Sequence, residues 1–378
     1  MNSSKTILVV FGTRPEAIKM APVINELKKS FKVKICVTAQ HREMLDQALK
    51  LFNIKPDFDL NIMKPSQDLF DITINIMQGI KKILLSEDFK MVLVHGDTTT
   101  SMVTAMAAFN LKIPVGHVEA GLRTYNIYSP FPEELNRQII SRIASYHFAP
   151  TEMARQNLLK EYVKDEKIYV TGNTIIDSLL SVVEKARKTE YPNKVLESLP
   201  FFKKKSNSLP RILLITGHRR ENFGKGFENI CQALLDIALL YPDIKIIYPV
   251  HLNPNLRVPV NRILSDINNI FLIEPLDYLT FIKLMDSSYL VITDSGGIQE
   301  EGPSLGKPVL VTREATERPE AIKAGTVIIV GTNRRKILKT TCKLLDDRIV
   351  YKKMSKVHNP YGDGNASKRI SNILKGDL

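Results

Sequence analysis

Cysteine is scarce in this chain: Cys36, Cys231 and Cys342 are the only three among 378 residues. They lie far apart, with no C-x-x-C and no histidine at metal-ligand spacing, so neither a disulfide framework nor a zinc site is expected. A reducing cytoplasm fits that usage. Long apolar runs are lacking as well. None approaches the ~18 residues that a membrane span needs, so a soluble protein with no membrane partner is expected. The start, MNSSKTILVVFG, has too short an apolar run for a signal peptide and reads better as a first strand. No fixed-period repeat and no low-complexity tract stands out.

The formal charge is +13, yet Lys and Arg are scattered among 40 acidic residues with no aromatic-rich basic stripe, so nucleic acid is not an expected partner. A small anionic substrate explains the balance. The densest basic stretch, Lys203–Lys205, stands between Pro200 and Pro210 and reads as a solvated linker.

What the chain has in abundance is α/β alternation. Short apolar runs at Ile7–Phe11, Val33–Val37, Met91–Val94, Val115–Val118, Ile212–Ile215, Ile244–Tyr248, Leu290–Thr293 and Val309–Val311 alternate with helical patterns, which implies parallel sheets. The length exceeds that at which one core usually keeps growing. Two Rossmann-like domains are therefore expected, 1–172 and 173–360, with a C-terminal helix at 361–378 packing back on the first. In doubly wound units ligands sit at the carboxyl ends of strands, and the active site is expected in the interdomain cleft.

Several segments place polar residues where strands end. FGTRPEAIKMAP runs a strand into Gly12 and sets Arg14 and Lys19 around a helix start, with Pro15 in the first turn; this reads as an anion seat suited to phosphate. HGDTTT puts Asp97 at a strand tip, as a site residue or as a simple cap. GHVEAGLRT carries Glu119 out of another buried strand between glycines, with Arg123 a possible structural partner. SPFPEELNRQ starts a helix near Pro132 with Glu133 and Arg137 at i, i+4 spacing, which a surface ion pair also explains. TGHRREN delivers His218 after a strand and before a basic pair, placed to protonate or charge-stabilise a phosphate leaving group or else to be structural. TDSGGIQEE opens a helix with Ser295, Gly296 and Gly297, so free N–H groups can cradle a pyrophosphate. Glu301, one turn along, can accept ribose hydroxyls, and Arg318 in the following TERPE loop can neutralise phosphate.

With QHREMLDQ, TGNTIID, YPVHLNPN, PSLGKPVLV, TERPEAI and NPYGDG in the same order, the chain resembles the non-hydrolysing bacterial UDP-N-acetylglucosamine 2-epimerases over essentially its whole length. The resemblance implies a glycosyltransferase-B-like pair of domains and a homodimer. It implies reversible interconversion of UDP-GlcNAc and UDP-ManNAc, supplying N-acetylmannosamine for a cell-envelope or capsular polysaccharide, with neither metal nor other cofactor. By that likeness Arg14, Lys19, Asp97, Glu119, Glu133, Arg137 and His218 stand at catalytic-site positions. Phe281, Ser295, Gly296, Gly297, Glu301 and Arg318 stand at nucleotide-binding positions.

Departures from the family pattern include Gly302 and Ala315, which leave the chemistry alone. Glu43 and Ser66 replace a Gln and an Arg of members described with a second, regulatory UDP-GlcNAc site, while Gln40 and His251 still match. Weak activation by UDP-GlcNAc is therefore expected. A glycosyltransferase of the same fold needs no trio of carboxylates opposite the nucleotide, a hydrolysing epimerase fits the motifs less well, and a non-catalytic nucleotide-sugar sensor does not need Asp97, Glu119, Glu133 and His218 together.

Overall fold

A computed structural model describes residues 5–39, 42–64, 66–188, 194–203, 210–217, 219, 222–316, 318–356 and 359–378. The chain forms two compact units, Met1–Leu180 with Tyr361–Leu378, and Ser181–Pro360. In the first unit the elements are β1 (Thr6–Phe11), α1 (Arg14–Leu27), β2 (Lys32–Val37), α2 (Arg42–Leu51), β3 (Phe58–Asp59), α3 (Leu69–Leu84), β4 (Phe89–His95) and α4 (Thr99–Asn110). There follow β5 (Val115–Val118), α5 (Glu133–Ile143), β6 (Tyr146–Ala149), α6 (Glu152–Lys160), β7 (Ile168–Val170) and α7 (Thr174–Lys188), which runs on into the second unit. The strands are parallel in the order β3-β2-β1-β4-β5-β6-β7. Such a sheet is covered on both faces, and Ile7–Phe11 and Met91–Val94 accordingly read as unbroken apolar runs and are fully buried.

The second unit repeats the plan. After α8 (Lys194–Glu197) and α9 (Pro200–Lys203) come β8 (Ile212–Thr216), α10 (Lys225–Leu240), β9 (Lys245–Pro249), α11 (Pro254–Leu264), β10 (Ile270–Ile273), α12 (Tyr278–Ser287) and β11 (Leu290–Thr293). α13 (Ile298–Ser304), β12 (Val309–Val311), α14 (Pro319–Ala324), β13 (Val327–Ile329), α15 (Arg334–Asp346) and α16 (Arg348–Ser355) complete it. The parallel order is β10-β9-β8-β11-β12-β13. Each sheet therefore reverses direction once, between β1 and β4 and between β8 and β11, and a doubly wound sheet opens a crevice at such a switch point. Gly12 and Asp97 follow the first pair of strands; Gly217 and Asp294 follow the second.

All eight strands expected from the sequence are present. β3, β6, β7, β10 and β13 were not legible, and four of these five are sheet edges of two to four residues, too short to show a period. β6 is held partly by its aromatic side chains, since the Tyr146, Phe148 and Tyr169 rings cluster with centroids 6.0–6.3 Å apart.

The expected boundary at residue 172 falls elsewhere, at Leu180–Ser181 within α7. The first half of α7 is bonded into the first unit. Asp177 accepts from the Ala366 and Ser367 amides at 3.2 and 2.8 Å and from the Ser367 hydroxyl, at the start of α17 (Ala366–Asp377), while the Asn173 amide donates to Tyr361 O at 2.7 Å. α17 packs on α1, and Ser178 Oγ donates to Ile18 O on α1 at 2.5 Å. Asp177→Ala leaves those buried amides without an acceptor, which costs about 1–3 kcal/mol. Urea denaturation is expected to show that loss, and hydrogen exchange to show it first in α17; unchanged protection there would contradict the assignment.

Candidate active site

At the tip of β4 the chain turns through Gly96, whose φ of +66° suits a residue without Cβ, and Thr98 caps α4 by accepting from the Ser101 amide. Asp97 is thereby left pointing out of the sheet, and Arg137 from α5 meets it with Nε at 2.9 Å and Nη2 at 2.5 Å from the same Oδ2. Asn136 Nδ2 fixes the backbone by donating to Asp97 O at 2.9 Å. The remaining arm of Arg137 donates to Glu134 Oε2 at 3.0 Å. Glu134 is fully buried. Burial opposes its ionisation, yet donors from Thr124, Gln138, Arg137 and Tyr125 together hold its carboxyl below the ordinary range.

The surface ion pair of Glu133 with Arg137 that the spacing also allowed is not made. Glu133 is half-exposed and makes no hydrogen bond or ion pair among the described residues, because Arg137 turns inward to Asp97 and Glu134 instead. Glu134, which the sequence reading passed over, carries the structural part.

Glu119 follows β5 with a φ of +63°, an unusual conformation for a residue with a side chain. Lys19 Nζ lies 2.5 Å from its Oε1, and Asn173 Nδ2 donates to the same oxygen at 2.8 Å. The Arg123 partnership considered for Glu119 is not formed; Arg123 binds Glu161 at 2.6 and 2.8 Å. Behind Glu119, His95 is buried, and desolvation outweighs the attraction of Glu119 to bring its pKa down to about 4. His117 is likewise neutral, at about 3, with Nε2 2.7 Å from Gly96 O.

The anion seat expected at the start of α1 is filled from within. Gly12 and Thr13 amides donate to Glu16 Oε2 at 3.0 and 2.8 Å, and the Thr98 hydroxyl donates to Oε1 at 2.7 Å. Burial still raises the Glu16 carboxyl above its usual range. Thr13 and Glu16 form a capping box, a T-x-x-E spacing that was readable in the sequence. Arg14 opens the helix half-exposed, without a bonded partner among the described residues, and Lys19 is committed to Glu119.

In the second unit, Asp294 lies buried at the end of β11 and accepts from the Arg219 amide at 2.9 Å and Asn222 Nδ2 at 3.4 Å. The Ser295 amide is taken by Thr293 Oγ1 at 2.9 Å, so it is not one of the free donors expected there. Gly296 and Gly297 complete the turn into α13, and a Cβ on Gly296 would stand 3.4 Å from the Arg318 guanidinium. Buried Glu300 accepts from Arg318 Nε at 2.8 Å. Glu301 accepts from the Tyr278 hydroxyl on α12, the helix that also carries half-exposed Phe281. An alanine at Gly302 would put its Cβ 2.6 Å from Val309 Cγ2, which accounts for the glycine. His218 and Gln40 lie outside the described residues. Glu43 is exposed on the first turn of α2, Ser66 is exposed with a φ of +60°, and exposed His251 accepts from the Asn253 amide at 3.1 Å. Among the described residues no group of three or more His, Cys, Asp or Glu is arranged to hold a metal.

The family profile described as UDP-N-acetylglucosamine 2-epimerase matches residues 25–375. The chain belongs to the UDP-N-acetylglucosamine 2-epimerase family. It is 56% identical to the UDP-N-acetylglucosamine 2-epimerase of Escherichia coli K12 and 58% to that of Salmonella typhimurium LT2, in each case over 98% of both chains. Among solved structures it is similar to the Neisseria meningitidis UDP-GlcNAc 2-epimerase bound to UDP-GlcNAc, with a TM-score of 0.89 and 52% identity over 98% of this chain and 100% of that one. The α/β architecture is thus the two-domain, glycosyltransferase-B-like fold of this epimerase family, whose members are isomerases. No helix among the described residues is long and apolar enough to cross a membrane.

In this epimerase-family chain the Lys19–Glu119 pair is nearly buried, with side-chain exposures of 13% and 8%. Lys19→Met is expected to cost roughly 3–5 kcal/mol, the penalty for stripping a buried charge of its partner. Adding Glu119→Gln is expected to restore most of that. Thermal and urea unfolding of the two variants check the coupling, and strictly additive losses would contradict it.

Proposed function

We propose that this chain epimerises UDP-N-acetylglucosamine to UDP-N-acetylmannosamine reversibly at C2 of the sugar, without hydrolysis. The C2 hydrogen has no adjacent carbonyl to make it acidic, so simple deprotonation and reprotonation is a poor route. Elimination solves this: a base takes the C2 proton, the C2–H electrons form the C1–C2 double bond, and the C1–O electrons leave with UDP. The product is 2-acetamidoglucal. Adding UDP back to C1 while an acid delivers a proton to the opposite face of C2 completes the inversion.

Two faces need two proton-transfer groups. The observation that carries this reading is the placement of Asp97 and Glu119 just beyond adjacent strands, β4 and β5, which pair in parallel with His95 opposite Val118. Each has a cation at hydrogen-bond distance, Arg137 on Asp97 and Lys19 on Glu119. A pyrophosphate-binding turn alone would serve a transferase equally well; the paired carboxylates are what an elimination requires. Half-exposed Glu133 and Arg14 stand beside this machinery in sequence, and His218 is assigned to charge stabilisation as the C1–O bond breaks.

For the second unit the reading assigns UDP to Ser295–Gly297, Glu301, Arg318 and Phe281, with Arg318 as the phosphate cation. It also includes a homodimer. Large apolar side chains stand exposed on three neighbouring helices, Phe70 and Ile74 on α3, Met106 and Phe109 on α4 and Leu135 on α5, a grouping that isolated surface hydrophobics do not make.

Incubation with UDP-GlcNAc in deuterated water tests the proposal. NMR is expected to show UDP-ManNAc appearing with deuterium at C2 in both sugars while the glycosidic diphosphate stays intact at equilibrium. Free N-acetylmannosamine and UDP as the accumulating products would favour hydrolysis, and protium retained at C2 would rule the mechanism out.

A further inference from the structure

His95 ends β4 with its ring directed at Glu119. Its side chain is buried, and neither ring nitrogen reaches a hydrogen-bond partner in another residue among those described. Native structures seldom leave a buried polar ring unpaired without a reason. Nε2 lies 3.6 Å from Glu119 Oε2, just outside hydrogen-bond range, whereas Glu119 Oε1 is held by Lys19 at 2.5 Å and Asn173 at 2.8 Å. We propose that His95 is a positioning residue for Glu119, donating from Nε2 to Oε2 in the working complex so that both oxygens of the carboxylate are fixed. The inference rests on the reading of Glu119 as a proton-transfer group.

The surroundings suit a neutral donor. From α1 come Lys19 and Glu16, the latter close to Ser101 Oγ, which donates to His95 O at 2.6 Å and lies 3.2 Å from Glu16 Oε1. From β5 and the residue after it come His117, itself neutral, and Glu119. Arg137 is committed to Asp97 and Glu134. Desolvation keeps the His95 ring uncharged, and a neutral imidazole donates from one nitrogen only. A carboxylate facing Nε2 selects the Nε2–H tautomer. The donor then stops the carboxylate rotating about its last bond, and proton transfer to carbon tolerates little misalignment.

The experiment compares His95→Leu, which removes the donor, with His95→Gln, which keeps an uncharged one, after the wild type has been assayed on UDP-GlcNAc. His95→Leu is expected to lower kcat roughly 10–100-fold, as losing a group that orients a functional residue commonly does, with KM little changed. The acidic limb of the kcat profile should move to higher pH, because an ionised carboxylate that has lost a donor is protonated more readily. His95→Gln should return most of kcat and restore the limb. Independently of activity, NMR of 15N-histidine-labelled wild type should show His95 neutral as the Nε2–H tautomer from about pH 5.5 to 8, with that signal shifted in Glu119→Gln. Wild-type kcat and limb in His95→Leu, a loss that Gln does not restore, or an Nδ1–H tautomer would each overturn the proposal. A wild type that does not epimerise would instead strike the functional reading, leaving the tautomer to decide this one.

Discussion

A carboxylate taken out of water must find a cation or several N–H donors, and the carboxyl edge of the first sheet is organised by that requirement. Glu16 is met by the turn amides and hydroxyls that begin α1 and α4, Glu134 by two loop amides and Arg137, Asp97 by Arg137, and Glu119 by Lys19 and Asn173. The partners come from α1, α5 and the residue before α7, so one set of contacts ties three helices to the tips of β4 and β5. Glu16 and Glu134 are buried with donors on both oxygens, which suits a structural role. Asp97 takes both Arg137 bonds on Oδ2 and keeps Oδ1 outside that pair.

The second sheet meets a related demand with different means. Asp294 uses its carboxylate to hold the backbone of the loop after β8, and Glu300 aims the Arg318 guanidinium at Gly296. The acids of this unit orient donors and a cation. Where the first unit pairs its carboxylates with cations, the second uses its own to hold a loop amide and an arginine.

Much of this was legible beforehand, for identifiable reasons. Buried parallel strands announce themselves as unbroken apolar runs, and the residues that follow them, Asp97, Glu119 and Ser295 among them, stand at the strand ends as expected. Partners were harder. The spacing of Glu133 and Arg137 allowed a pair, but Arg137 answered to Asp97 and to the fully buried Glu134, whose charge has the most to lose without a partner. Glu119 was offered Arg123 by proximity in sequence and took Lys19, one hundred residues earlier in the chain. The capping box of Thr13 and Glu16 was written in the sequence and shows why the start of α1 is already occupied. The unit boundary moved into α7 because Asp177 and Asn173 bond to the distant C-terminal segment, which no local break in periodicity reveals.

The central claim is that the first unit transfers protons and the second holds the nucleotide. The most direct measurement is calorimetric titration of UDP alongside turnover in Asp97→Asn and Glu119→Gln. The account predicts that UDP affinity stays at the wild-type value in both while turnover falls by at least ~100-fold, the lower range for losing a general acid or base. Turnover that survives in either variant, or falls only as far as UDP binding falls, would contradict it.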